Sequence, residues 1–362
     1  MNEFAFLIHP LTLEDVARKF GFARYLPPPF ISRVLTKLPP LLVSEIRGVE
    51  SAYGNTKGSF VAVMLTARQM VELPLNFVLN RIIEAGKKAE KLGARILGLG
   101  AFTSVVGDAG ITIAQNLNLA VTTGNSLTAA TAIAGTRQAA QALGIDLKKA
   151  QVAIIGATGS IGTAVSHILA NDVRHLALVA RNEARLEAAA QRIRSEYGET
   201  VSVDCLTNVS KAVRQADIIL ATSSAAEVLI QPEHLKPGAI VCDIARPRDT
   251  SKRVARERED VLVFDGGILE VPGKVDFGLN YGFPPRMTYA CMAETMILAL
   301  ERRFENFSLG REYQPEKIME IYQLALKHGF RVAALRFDER IIEPEQYQSI
   351  RDKMHKQAVS LT

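Results

Sequence analysis

Apolar residues fall at Leu75, Leu79, Ile82, Ala85, Ala89 and Leu92, so Glu72–Leu92 reads as a helix with one apolar stripe, closed by Gly93. Arg95–Leu99 and Ala120–Thr123 are short apolar runs that read as buried strands, with a Gly107-Asp108-Ala109-Gly110 turn between them. Ser126 opens a helix of small residues, through Ala129, Ala130, Ala132, Ala134 and Ala142 to a stop at Gly144. Small side chains allow close approach, and this helix is expected to bridge two domains. From residue 151 the rhythm changes to short β-branched runs separated by helical ones. The runs are Gln151–Ile155, His175–Ala180, Val201–Leu206, Ile218–Ala221, Ala239–Ile244 and Val261–Phe264. Alternation of strand and helix predicts an α/β fold with a parallel sheet covered on both faces. Beyond residue 286 the pattern is helical again, with Met287–Phe304 apolar nearly all round and Glu343–Gln357 polar and amphipathic.

Composition narrows the classes. Apolar residues make up 48% and charged residues 22% of 362, enough to fill the cores of two or three domains. No apolar run approaches the ~20 residues of a membrane-spanning helix. The start, Met1-Asn-Glu-Phe-Ala-Phe6, lacks the basic stretch and apolar core of a secretory signal. Cys205, Cys242 and Cys291 form no spaced pair, which points to a reducing compartment, hence the cytoplasm. The six histidines show no ligand spacing, so no metal site is expected. The net charge of +5 comes without aromatic or helix-turn-helix signals. Nucleic acid is therefore not an expected partner; an anionic cofactor, an acidic partner or chance explains the charge equally well.

The strand Gln151–Ile155 runs into Gly156-Ala157-Thr158-Gly159-Ser160-Ile161-Gly162 and then a helix. The first glycine permits a tight turn, Gly159 lets a pyrophosphate approach the backbone, and Gly162 lets helix and strand pack closely. The helix N-terminus adds N–H groups and the positive end of its dipole, with Thr158, Ser160 and Ile161 on the same turn. The next strand ends in Ala180-Arg181-Asn182, where an NAD site carries an acid for the ribose 2′-hydroxyl. Arg181 stands there instead, with Arg185 one turn on, and suits a 2′-phosphate. These features predict a Rossmann-type, doubly wound NADPH-binding domain over 146–285. It would be flanked by an N-terminal α/β substrate domain over 1–145 and a C-terminal helical segment over 286–362. Thr222, Ser223, Ser224, Asp243, Gly266 and Gly267 close later strands and are expected to line the cofactor, because ligands sit at the carboxyl ends of strands in open α/β sheets.

Cys205 and Cys242 fall in predicted strands and read as core. Cys291 lies near the start of the Met287–Phe304 helix, where Thr288, Cys291, Glu294 and Thr295 form one polar strip on an apolar helix. Free cysteine is ordinary core material. A reactive one needs a cation or a helix N-terminus to bring its pKa below about 8.5, and Arg286 and the early helix position offer both. The helix by itself leaves core residue and nucleophile both open.

The Gly156–Gly162 loop, Ala180-Arg-Asn182 and Tyr289-Ala-Cys-Met-Ala-Glu294 resemble the long-chain acyl–acyl-carrier-protein reductases first known from cyanobacteria. So do Gly100-Ala-Phe-Thr-Ser104, Thr122-Thr-Gly-Asn125 and Asn306-Phe-Ser-Leu-Gly-Arg311. The segment Phe60-Val-Ala-Val-Met-Leu-Thr66 and the tail beyond Arg336 depart from the pattern. The resemblance implies NADPH-dependent reduction of a fatty acyl thioester to a fatty aldehyde. It also implies acyl carrier protein or acyl-coenzyme A as the thioester and Cys291 as the residue that carries the acyl group. Shikimate dehydrogenases and glutamyl-tRNA reductases share the general plan more distantly. The chain has no cysteine before Cys205 to serve as the nucleophile of the latter, and no Pro-x-Lys context for the base of the former.

On that mechanism Thr123, Asn125 and Ser126, at a strand end and helix start, are expected to stabilise the oxyanion, although Thr123 and Ser126 also suit helix capping. The run Arg246, Arg248, Lys252, Arg253, Arg256 and Arg258, or the cluster Arg302, Arg303 and Arg311, would dock an acidic carrier; solvated surface charge is the plainer reading of either. An aldehyde-consuming enzyme is a further expected partner, and peripheral membrane contact stays open. Two other functions compete: a dehydrogenase of a small hydroxy- or keto-acid, shikimate dehydrogenase-like, and a non-catalytic NADP-binding sensor.

Overall fold

The computed structural model describes residues 2–360 apart from positions 11, 15, 17–20, 22–24, 226 and 339. The chain divides into two compact units rather than the three consecutive segments 1–145, 146–285 and 286–362. Met1–Leu127, Leu269–Gly310 and Glu320–Arg331 form the first; Thr128–Ile268, Arg311–Met319 and Val332–Thr362 form the second. Packing sets the units rather than chain order, because the returning chain contributes to both.

The first unit opens with β1 (Phe4–Ile8), α1 (Pro28–Leu35), β2 (Leu41–Ser51), β3 (Gly54–Ala62), α2 (Ala67–Glu72) and α3 (Leu75–Lys91). Next come β4 (Ile96–Leu99), the short helices α4 (Phe102–Val105) and α5 (Ile111–Gln115), and β5 (Ala120–Thr122). The sheet order is β2-β3-β1-β4-β5, with only β2 antiparallel to its neighbour. The helix expected from Glu72 starts at Leu75 instead. Leu73 precedes a proline and is held extended at ψ 157, and Pro74 becomes the N-cap. The β2–β3 hairpin escapes sequence prediction because register shifts at Leu42/Ser44 and Ile46/Val49 break its alternation.

One face of this sheet packs Leu7, Val61, Leu97 and Val121 on Val78, Ile82 and Ile83 of α3. The helix Ala290–Leu300 covers the other face, close enough that a Cβ on Gly98 would lie 2.1 Å from Thr295 Oγ1. The single helix expected over Met287–Phe304 is a short strand, Met287–Tyr289, followed by this helix. Arg286 takes φ +69 after two prolines, and Tyr289 is extended, so helical geometry begins only at Ala290.

The small-residue helix α6 (Asn125–Leu143) carries the division between units, which falls between Leu127 and Thr128. In the second unit Gly135 lets Phe264 approach, 3.3 Å from where its Cβ would be. The strands are β6 (Gln151–Ile155), β7 (His175–Val179), β8 (Ser202–Leu206), β9 (Ile218–Ala221), β10 (Ile240–Asp243) and β11 (Leu262–Asp265). They form one parallel sheet in the order β11-β10-β9-β6-β7-β8, the doubly wound arrangement expected, with α7 (Ser160–Leu169) and α8 (Glu183–Tyr197) following β6 and β7. The amphipathic tail forms the helix Pro344–Ser360 of this unit.

Candidate active site and cofactor loop

Cys291 stands in the first turn of Ala290–Leu300, and Tyr289 at the N-cap gives no side-chain cap. First-turn N–H groups have no intrahelical acceptor, and with the dipole they favour a thiolate or an oxyanion there. The turn between β5 and α6 lies directly on this cysteine. A Cβ on Gly124 would come within 2.2 Å of Cys291 Cα, and Gly124 takes φ +72. Only glycine satisfies both conditions.

Glu294, one turn further along the helix, is fully buried and holds this turn in place. Its Oε1 accepts from the Thr122 hydroxyl at 2.5 Å and its Oε2 from the Leu127 N–H at 2.9 Å. The Gly124 N–H donates to the Thr122 hydroxyl oxygen at 3.2 Å, and Gly124 and Ser308 lie near enough to favour the ionised form of Glu294. Burial pushes its pKa up from the ordinary value while these donors pull it down. The Thr123 hydroxyl donates to the Ser308 carbonyl at 2.5 Å, and the Ser308 hydroxyl donates to Ser126 Oγ at 2.7 Å. Ser308 adopts φ +51 to make these contacts. Thr123, Asn125, Ser126 and Cys291 are thus gathered in one place, and Asn125 is half-buried at the start of α6.

Sequence reasoning missed Tyr281, whose hydroxyl donates to Met287 O at 3.2 Å and Thr288 Oγ1 at 3.3 Å. Its ring meets Phe60, Phe277 and Phe283, and Phe283 stands edge-on to Tyr289, giving an aromatic wall beside the helix start. The clustering of aromatics over 277–289 was the available signal.

In the second unit Gly156 takes φ +82, and a Cβ on Gly162 would lie 2.2 Å from Gly156 O. The fold itself demands both glycines. Gly159 differs: its φ is −79, and the only atom near a Cβ there would be Gly156 O at 3.3 Å. Its bare backbone leaves a cradle at the N-terminus of α7, and the donors there fit a pyrophosphate. Arg181 and Arg185 are exposed just beyond β7, and Asn182 caps α8 by accepting the Arg185 N–H at 2.9 Å.

The Thr222 hydroxyl donates to Ile155 O at 2.7 Å, and Ser224 is exposed. Ser223 gives its hydroxyl to Asp249 Oδ1 at 2.6 Å and its N–H to Oδ2 at 3.0 Å. Asp249, absent from the sequence reading, is fully buried, and burial pushes its pKa up to about 7. Asp243 is corrected. Expected on the cofactor, it is fully buried and accepts the N–H groups of Ala245 at 3.1 Å and Thr250 at 2.8 Å. It shapes the loop after β10. Gly266 and Gly267 are buried, and a Cβ on Gly266 would meet Ile244 at 2.5 Å, so packing explains it.

Burial pushes the Cys242 thiol up to about 12, and burial with Glu187 raises that of half-buried Cys205. The basic run is largely consumed internally. Arg246 and Arg248 turn to buried Asp265, Lys252 pairs with Asp338, Arg253 with Glu257 and Arg258 with Asp260. Arg302 pairs with Glu3 and Arg303 with Glu320. Among the described residues no group of three His, Cys, Asp or Glu could hold a metal, and no helix is long and apolar enough to cross a membrane.

Residues 137–265 match the shikimate / quinate 5-dehydrogenase family. The chain is 33% identical over 298 residues to the aminotransferase PigE of Serratia sp., across 81% of this chain but only 34% of that protein, so it spans about a third of PigE. A glutamyl-tRNA reductase of Actinobacillus succinogenes is 28% identical over 118 residues, 30% of this chain and 26% of that one. The long-chain acyl-[acyl-carrier-protein] reductase of Synechococcus elongatus is 31% identical over 363 residues, covering 92% of this chain and 99% of that protein. With likeness over nearly the whole of that relative and a doubly wound sheet behind the glycine loop, the chain belongs to the long-chain acyl-[acyl-carrier-protein] reductase family and is an NAD(P)-dependent reductase.

Proposed function

We propose that the chain reduces a fatty acyl thioester, carried on acyl carrier protein or coenzyme A, to a fatty aldehyde with NADPH. The observation that carries this reading is the seating of Gly124 against Cys291 in the first turn of a helix that has no side-chain cap. In the first step the Cys291 thiolate attacks the thioester carbonyl. A bond forms between Sγ and the acyl carbon, the bond to the carrier sulfur breaks, and the carrier thiolate takes up a proton. The first-turn N–H groups and Asn125 face the oxyanion, while Glu294 and Ser308 hold the turn that presents Asn125. Thr123 and Ser126 act through Ser308 as positioning residues. When bound, NADPH supplies the hydride that takes the acyl group to the aldehyde level. Release of aldehyde breaks the carbon–sulfur bond and restores the Cys291 thiolate.

In the second unit the bare backbone at Gly159, with the N–H groups of Thr158, Ser160 and Ile161, takes the pyrophosphate, and Arg181 with Arg185 takes the 2′-phosphate. Thr222 and Ser223 brace the loop on the other side of Gly156. A downstream aldehyde-consuming enzyme fits the same chemistry. Aminotransferases accept carbonyl compounds, and PigE bears that name while sharing this region.

The test is mass spectrometry after incubation with an acyl thioester in the absence of NADPH. The natural protein gains one acyl mass on the peptide holding Cys291, Cys291→Ala gains none, and both bind NADPH. No adduct on the natural protein refutes the acyl-enzyme.

A further inference from the structure

We propose that the first unit docks on an anionic lipid surface through α1 and Tyr25 just ahead of it. The inward stripe of α1, Ile31 and Leu35, packs with Ile8, Leu41, Val43, Ala62 and Met64. At helical spacing the next stripe is Phe30 and Val34, which are 53% and 37% exposed, and Tyr25 ahead of the helix is 87% exposed. Pro27, Pro28 and Pro29 are exposed as well. On the far side of the Phe30–Val34 stripe lie Arg33 and Lys37, both exposed. Residues 25–44 contain Arg33 and Lys37 and no Asp or Glu. An apolar ridge flanked by cations, with aromatic side chains at its edge, is the arrangement of a segment that lies in a membrane interface.

Two other occupants fit less well. The exposed side chains sit on a helix about 12 Å long, and their area falls short of the ~800 Å² per partner of a stable dimer. A symmetric contact with a second copy would also set this acid-free, cationic stretch against itself. An acidic protein would answer the cations but not the exposed Tyr25, Phe30 and Val34.

The place in the fold gives the surface a purpose. Ile8 and Ala62, beneath α1, continue the sheet face on which Phe6 and Phe60 lie. That puts α1 at the carboxyl ends of the strands, the end at which β5 turns into Gly124 beside Cys291. A lipid surface at this end would receive or deliver an apolar chain without passage through water.

Flotation of the full chain with vesicles tests the proposal without any turnover, so its outcome is independent of the acyl-enzyme reading. The vesicles are phosphatidylcholine alone, or phosphatidylcholine with phosphatidylglycerol. The natural protein and Cys291→Ala should float with the anionic vesicles and not with the neutral ones, and added salt should release them. Phe30→Ser with Val34→Ser should abolish flotation, and Arg33→Glu with Lys37→Glu should reduce partitioning by about tenfold or more. Unchanged melting temperatures show that each variant folds. Failure of the natural protein to float on anionic vesicles, or flotation of both folded double variants like the natural protein, overturns the proposal. A change in mass by light scattering, or in KM for acyl carrier protein, with vesicle binding intact would assign the ridge to a second copy or to the carrier and overturn it too.

Discussion

Two helix starts in this molecule look alike and are built differently. Both α7 and Ala290–Leu300 begin after an extended N-cap with no side-chain cap, at Gly159 and Tyr289. Both have a left-handed glycine close by, Gly156 at φ +82 and Gly124 at φ +72. At α7 all the parts lie within seven consecutive residues and are backbone groups. At Cys291 they come from 122–127, 291–294 and 308, joined by a carboxylate that no water reaches. An anion cradle can be built locally from N–H groups, whereas the covalent site proposed at Cys291 draws on side chains from distant segments with a buried anchor to hold them.

Alanine at the paired glycines separates the two cases most sharply. Gly124→Ala adds a Cβ 2.2 Å from Cys291 Cα at a positive φ, so acyl-enzyme formation should fall by about 10²-fold or more, read by single-turnover mass spectrometry. Gly159→Ala meets no strained φ, so the melting temperature should hold while NADPH affinity falls about tenfold in fluorescence titration. Equal damage to folding from both would erase the distinction.

The buried anchor comes next. Glu294→Gln keeps the volume but turns one acceptor into a donor facing other donors, so kcat should fall by roughly 10- to 100-fold while NADPH affinity stays unchanged. A normal kcat would detach Glu294 from the geometry of the turn.

Arg181→Ala should weaken NADPH binding by about 1–3 kcal/mol and leave NADH binding nearly unchanged, because only the phosphate-bearing cofactor loses a charge-assisted contact. Equal losses in titration would remove Arg181 from cofactor choice.

The smallest effect concerns Asp249, an acid whose folded pKa of about 7 lies above its ordinary value of 3.8. Between those values the native state binds more protons than the unfolded state, so this group's contribution to stability falls as pH rises through that window. Asp249→Asn should flatten the decline in melting temperature from about pH 5 to pH 8. An unchanged pH slope would show that Asp249 titrates normally.

What the sequence determined by itself was whatever neighbouring residues decide. The β6–glycine–α7 run, the strand–helix alternation and the small-residue α6 follow from turn geometry and side-chain periodicity. Those need only a few adjacent residues, so the doubly wound sheet was legible in advance. Proline moved the start of one predicted helix to Leu75 and a left-handed Arg286 delayed another, both local effects that apolar spacing overlooks. Tertiary structure alone decided the rest. It brought Glu294 under the 122–127 turn and turned Arg246 and Arg248 to buried Asp265 and Lys252 to Asp338. Burying a charge is tolerable only beside a partner, and where the partner lies far along the chain, as Glu294 does from Leu127 or Lys252 from Asp338, no spacing is left in the sequence to be read.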